Sequence, residues 1–215
     1  MSVVLPKNTQ IALATAYATA IAFASLTNAA PPVAGSVAHG LADGDILLVN
    51  SGWTKLDGRI ARVDNADTDD FELEGIDTTN TGFFPAAAGV GTVSKITAWT
   101  SITQVLDVQP TGGDQQFQNY EFFEDDMQMQ VPDRIAAQSI ALVIADDPTL
   151  PGYLALKAAH EASAIRALRF TLPNGSKIFY NGYVSFNETP SMSKGNVMSV
   201  RAQLSLSARA TRYAT

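Results

Sequence analysis

The chain has 215 residues, 46% of them hydrophobic and 16% charged, with a formal net charge of −7. That balance supplies a core and excludes disorder, which requires low hydrophobicity and high charge, and the acidic sum disfavours sequence-independent gripping of phosphate backbones. The absence of Cys excludes disulfides, thiolate zinc sites and thiol nucleophiles, and two histidines, His39 and His160, leave little for histidine-driven chemistry.

Ile11 to Leu26 is apolar, follows Lys7 and ends near Asn28-Ala29-Ala30, which imitates a secretory signal. Thr9, Thr15, Tyr17, Thr19 and Ser25 interrupt the stretch, however. Ile11, Leu13, Thr15, Tyr17 and Thr19 share one side of a two-residue period, which is strand patterning. The same polar residues are too many for a membrane span.

Ala29–Gly35 and Pro85–Gly91 are breaker clusters. Between them, Asp45–Val49, Arg59–Val63 and Asp70–Leu73 have strand character and are separated by Asp43-Gly44, Asp57-Gly58 and Asp64-Asn65. Short strands at even spacing read as a small all-β barrel or sandwich. The chain therefore divides into a discontinuous core, residues 1–18 and 98–215, and an inserted barrel, residues 19–97.

Ile96–Val108 reads as one strand with an irregularity near Ser101, broken by Pro110-Thr111-Gly112-Gly113. Asp114–Arg134 has no clean period and reads as a long functional loop. Its Phe117, Tyr120, Phe122, Phe123, Met127 and Met129 would form an interface patch if exposed together. Glu124-Asp125-Asp126 could be an acid/base pair, but adjacent carboxylates in a polar loop read better as an ionic contact. Arg134, Arg166 and Arg169 can bind carboxylates bidentately and are candidate partners for that triplet in another subunit.

Ser139–Ala145 reads as a strand, and Pro151 opens a helix over Tyr153–Ala164. Ile165–Leu172, the turn Pro173-Asn174-Gly175 and Ser176–Phe186 form a hairpin, because Asn-Gly accepts the positive φ that matches strand twist. Glu188-Thr189-Pro190-Ser191 is expected to turn the chain. Val197–Ala208 then returns with Met198, Val200, Ala202, Leu204 and Leu206 on one face and Ser199, Arg201, Gln203, Ser205 and Ser207 on the other.

Residues 1–134 hold 6 basic and 17 acidic side chains, and residues 135–215 hold 8 and 4. Opposite-signed halves suit head-to-tail self-association. No phosphate loop, dinucleotide fingerprint or nucleophile elbow is present, and Asp43-Gly44-Asp45 and Asp64–Asp70 lack calcium-loop spacing. Neither a catalytic residue, a metal nor a cofactor is expected.

Arg166–Tyr213, with Leu168-Arg169-Phe170-Thr171-Leu172-Pro173-Asn174-Gly175 and Tyr180-Asn181-Gly182-Tyr183-Val184-Ser185, resembles the closing hairpins of the major tail tube proteins of long-tailed, non-contractile phages. Thr171 and Leu172 separate Phe170 from Pro173, a small departure from the family's Phe-Pro-Asn-Gly. Ala98–Val108 is similar to that family's second strand, Gln115–Asp126 to its long loop and Asp147–Ala164 to its single helix. His39–Asp45, Leu56–Arg59 and Phe71–Leu73 are similar to small β-barrel modules that decorate phage virion proteins.

The resemblance implies a mainly β fold, a β-sandwich with one flanking helix, and six copies closing into rings that stack into a hollow tail tube. It implies a structural virion protein assembled in the host cytoplasm. Its partners would be itself, a tape measure protein in the lumen, and tail terminator and tail tip proteins, and DNA would pass without tight binding. An acidic subunit suits that passage. Phe117, Tyr120, Phe122, Phe123, Glu124, Asp125, Asp126 and Arg134 are then candidate inter-ring residues. Arg169, Lys177, Ser199, Arg201, Gln203 and Ser205 are candidates for the lumen or for contacts between subunits. The readings from other classes are a secreted or surface β-rich binding module and, more remotely, a hydrolase using Glu124–Asp126.

Overall fold

Two-residue alternation runs through most of the chain, which forms sixteen strands and one helix in a computed structural model that describes residues 7–124 and 126–214. The first strands are β1 (Gln10–Tyr17), β2 (Ile21–Phe23), β3 (Ser25–Leu26), β4 (Val33–Gly35), β5 (Ile46–Ser51), β6 (Ile60–Asp64), β7 (Asp70–Glu74) and β8 (Gly91–Ile102). Then come β9 (Val105–Thr111), β10 (Gln115–Tyr120), β11 (Met129–Ile135), β12 (Ser139–Ala145) and α1 (Pro151–Glu161). β13 (Ile165–Thr171), β14 (Lys177–Ser191), β15 (Ser199–Leu206) and β16 (Thr211–Tyr213) complete the chain.

Fourteen strands form one curled antiparallel sheet in the order β3-β4-β7-β6-β5-β8-β1-β13-β14-β15-β12-β9, with β2 added to β8 and β16 to β14. β8 serves two regions. Its Gly91–Lys95 end pairs with β2 and β5, whereas Ile96–Ile102 pairs with β1.

Burial follows the same division. One cluster gathers Phe23, Leu47, Val49, Trp53, Leu56, Phe71, Leu73 and Val93, and another gathers Leu13, Ile140, Leu142, Leu156, Leu168, Phe186 and Leu204 beneath α1. A third, smaller cluster joins them, where Ile60 and Ile96 meet Ala14, Ala167, Phe179 and Tyr213.

β1 departs from the one-sided alternation read in its sequence: Ile11, Ala12, Leu13 and Ala14 are all buried. Ile11 and Leu13 face the cluster under α1, while Ala14 faces the junction with β6, so both sides of this central strand are covered. The small alanines are what let a second layer approach.

Helix α1 starts at Pro151, whose missing N–H falls where no intrahelical acceptor exists. It stops at Glu161, earlier than the sequence indicates, because Ser163 adopts φ +48° and breaks the helical path. Gly152 sets how closely α1 rides on β8, since a Cβ there would lie 2.7 Å from the Ser101 carbonyl oxygen.

Three further expectations need correction. Ile96–Val108 is two strands, broken at Thr103-Gln104, where Gln104 takes φ +57°; β8 lies inside the sheet and β9 at its margin, with β1, β13, β14, β15 and β12 between them. Glu188–Ser191 continues β14 through an irregularity between Asn187 and Ser191, and the reversal comes after Ser191. Asp114–Arg134 is no irregular loop: β10 and β11 pair as a separate hairpin.

Candidate assembly surfaces

The β10–β11 hairpin stands off the sheet. Every residue of β10 is exposed, and in β11 only Met129 is partly covered. Phe117, Tyr120, Phe122, Phe123, Met127, Val131 and Ile135 are all exposed large hydrophobic side chains. A lone two-stranded hairpin is marginal in water, and large apolar side chains exposed together are costly to leave in solvent.

Local contacts shape the hairpin without burying it. Tyr120 packs edge-on against Phe122 at 5.5 Å and donates its hydroxyl to Met129 Sδ at 3.5 Å. Glu124 and Asp126 are exposed near the tip, and Asp125 lies outside the described residues. Arg134 sits at the base, where its Nε donates to Gln116 Oε1 at 3.1 Å, a full strand length from the acidic tip.

The second surface is the sheet face turned away from α1. Phe186 defines the other side by packing on Tyr153 at 4.8 Å. Alternation and register then place Tyr183, Ser205, Ser139 and Thr111 in one cross-strand row on the open face, with Ser185, Gln203, Ala141 and Gln109 in the next. Asn187, Arg201, Val143 and Asp107 form a third row, and Ser199 lies opposite Ala145 beyond it. Thus Ser199, Arg201, Gln203 and Ser205 share one polar pavement.

Lys177 lies on the same side at the far end of β14, exposed. Arg169 is on this side too, but its guanidinium lies over Trp99 at 4.6 Å and its Nε is buried without a hydrogen bond among the described residues. Burial lowers its pKa. The charged groups on this face of the core are Asp107, Arg169, Lys177 and Arg201, so the net acidity of the chain is carried elsewhere. Residues 19–97 hold ten acidic and four basic side chains, residues 114–134 six and one, and the remainder five and nine.

A third surface is the free margin at β9, the last strand of the sheet. Between it and the start of β1 runs a groove of about 440 Å³ lined by Ile11, Val105, Leu106, Val108 and Phe170, with Thr9 and Asp107. Leu106 is exposed, and Thr9 Oγ1 is buried with no partner among the described residues. This margin is not legible in the sequence, because nothing local to Val105–Thr111 says that it crosses to the far side of the sheet.

The remaining chemistry-bearing side chains hold structure. His39 is buried edge-on to Phe71, its Nδ1 accepts the Leu41 N–H at 3.0 Å, and Nε2 therefore donates to the Asp70 carbonyl at 3.1 Å. Asp43 accepts the Ala66 N–H, and Asp45 accepts that of Ala42 while pairing with Lys95 at 2.7 Å. Tyr213 ties the end of the core to β6 and β7: its hydroxyl accepts the Arg62 N–H at 2.8 Å and donates to the Glu74 carbonyl at 3.1 Å. Burial pushes its pKa up to about 12.

A curled antiparallel sheet, one flanking helix and a naked apolar hairpin agree with one finding from comparison with known proteins. The family described as phage tail tube protein, TTP, matches residues 51–215. The chain belongs to the phage tail tube proteins. The matched range includes residues 51–97, part of the segment read as an insertion. A search of curated proteins returns no match. Membership makes the protein a structural component of the virion tail that assembles with copies of itself. Among the described residues no helix is long and apolar enough to cross a membrane.

Proposed function

We propose that this tail tube protein forms hexameric rings that stack into a hollow conduit for DNA ejection, and that the β10–β11 hairpin is the arm joining one ring to the next. The hairpin carries the reading. It exposes Phe117, Tyr120, Phe122 and Phe123 beside Glu124 and Asp126, a combination suited to burial with ionic registration in a neighbouring copy. Arg134 braces its base, and Asp125 belongs to the same acidic tip by sequence.

The open polar pavement of β14 and β15 lines the lumen in this reading, with Ser199, Arg201, Gln203 and Ser205 facing the passage and Lys177 and Arg169 nearer a subunit boundary. Joining the β9 margin to the next subunit removes an unpaired edge, which is otherwise a template for uncontrolled association. Hydroxyl and amide groups, with Arg201 in the same cross-strand row as Asp107, make a wall with little grip on phosphate, in place of the acidic wall inferred from net charge. A tape measure protein would fill the lumen during assembly in the host cytoplasm, and terminator and tip proteins would close the two ends. The role is structural, with no catalytic step. Residues 19–97 form a decoration module packed against the core through Ile60 and Tyr213.

The test is deletion of Gln115–Met129. The expected result is a folded protein that gives rings or monomers but no long tubes in negative-stain electron microscopy. Tubes of ordinary length from the deleted protein would overturn the assignment of the hairpin.

A further inference from the structure

The chain separates its charges in a way that the fold of one copy does not resolve. From Gln115 to Pro132 there are four carboxylates and no Lys or Arg. At the foot of the same hairpin lies a groove of about 380 Å³ whose charged side chains are Lys55, Asp57 and Arg209, with apolar walls at Ile135, Leu206 and Ala208. Arg59 backs it: Gly58 approaches Ala208 and Ser207, and Arg59 Nη2 reaches Thr211 Oγ1 at 3.4 Å.

These cations are crowded and unneutralised. Among the described residues no carboxylate lies within ion-pair distance of Lys55, Arg59 or Arg209. Lys55 Nζ sits over the Phe83 ring, Arg59 Nε is buried with no partner among the described residues, and Asp57 is engaged by the Ser51 N–H at 3.1 Å. Desolvation lowers the pKa of Lys55 and of Arg59, and the charge of Arg209 pushes both the same way. An arriving carboxylate relieves that repulsion.

We propose that this groove is the seat for the acidic, aromatic hairpin tip of a second copy of the chain. The copy's own tip cannot fill it. Ile135 and Ala136 line the groove at the base of the hairpin, and six strand residues carry the tip about 20 Å away. Apolar walls beside the cations fit Phe122 and Phe123 next to Glu121, Glu124 and Asp126, whereas a phosphate backbone offers charge without apolar side chains. The inference rests on the hairpin being the joining arm and names the receptor for it.

The test is a charge reversal and its repair. Lys55→Glu with Arg209→Glu, both on side chains that reach the surface, is expected to leave the circular dichroism spectrum unchanged. It should raise the protein concentration needed for tube growth about a hundredfold, since like charges at an interface cost several kcal/mol and each tenfold is 1.4 kcal/mol. Adding Glu121→Lys and Glu124→Lys to the same chain is expected to restore growth. Should the reversal destabilise the fold, Lys55→Gln with Arg209→Gln provides the neutral version. Tubes that grow normally after reversal, while the hairpin deletion abolishes them, would place the seat elsewhere and leave the arm intact. Tubes from the hairpin deletion would remove both. Loss of DNA binding on reversal, with no repair by the lysine tip, would assign the groove to nucleic acid and overturn the proposal.

Discussion

Two hairpins of the same chain have opposite fates. β13–β14 turns through Pro173-Asn174-Gly175, with Gly175 at φ +82°, and is flanked by β1 on one side and β15 and β16 on the other. Ala167, Leu168, Phe179 and Val184 are buried on its two faces. β10–β11 has comparable pairing and, among the described residues, no further strand beside it. The first hairpin is finished by its own chain, and the second, in the proposed assembly, is finished by another. Strand pairing alone does not distinguish them; the layer above and below does.

Hydrogen exchange sharpens this contrast most. In unassembled protein the amides of β13 and β14 are expected to exchange only on global opening and those of β10–β11 almost freely, a gap as large as the whole stability of about 5–15 kcal/mol. In tubes the second set should become protected. Equal protection in the unassembled state would break the comparison. Next in size is Leu168→Ala, which empties a fully buried site beneath α1. It is expected to cost about 2–5 kcal/mol in denaturant unfolding.

Tyr213, on the β16 flank of β14, gives a pH-dependent handle. Its folded pKa of about 12 stands above the 10.0 of a free tyrosine, so its hydroxyl stabilises fully below pH 10.0 and loses that contribution as pH rises toward 12. Thermal midpoints should therefore fall over that range, and Tyr213→Phe should flatten part of the slope. Tyr17, Tyr153 and Tyr180, also raised by burial, keep the rest. The smallest effect on folding is expected from Phe123→Ala, within about 0.5 kcal/mol in the unassembled protein. Tube yield in the same variant is expected to drop. A large loss of stability would mean that Phe123 packs within its own chain.

What could be read in the sequence depended on whether a strand has two unlike sides. β15 was legible because Val200, Ala202 and Leu204 alternate with Arg201, Gln203 and Ser205 and the sheet buries only the first set. β10 was not, because Gln115–Tyr120 meets solvent on both faces and no period is imposed on it. β1 misled in the opposite sense, since Ala12 and Ala14 are as buried as Ile11 and Leu13. For the candidate surfaces, the polar side of β15 and the aromatics of the hairpin followed from local pattern. The β9 groove and the basic groove did not, because each joins residues from distant stretches: Thr9 with Val105 and Phe170, and Lys55 with Ile135 and Arg209.

The twelve-residue strand β8 has a mechanical meaning. The chain enters residues 19–97 beside the place where it leaves them, and the Ala18 N–H bonds the Lys95 carbonyl at 2.8 Å across the gap. The connection is thus a two-stranded ribbon and not a single tether. Tugging on residues 19–97 stretches that ribbon lengthwise, loading many backbone bonds at once, and swivelling about one flexible joint is denied to it.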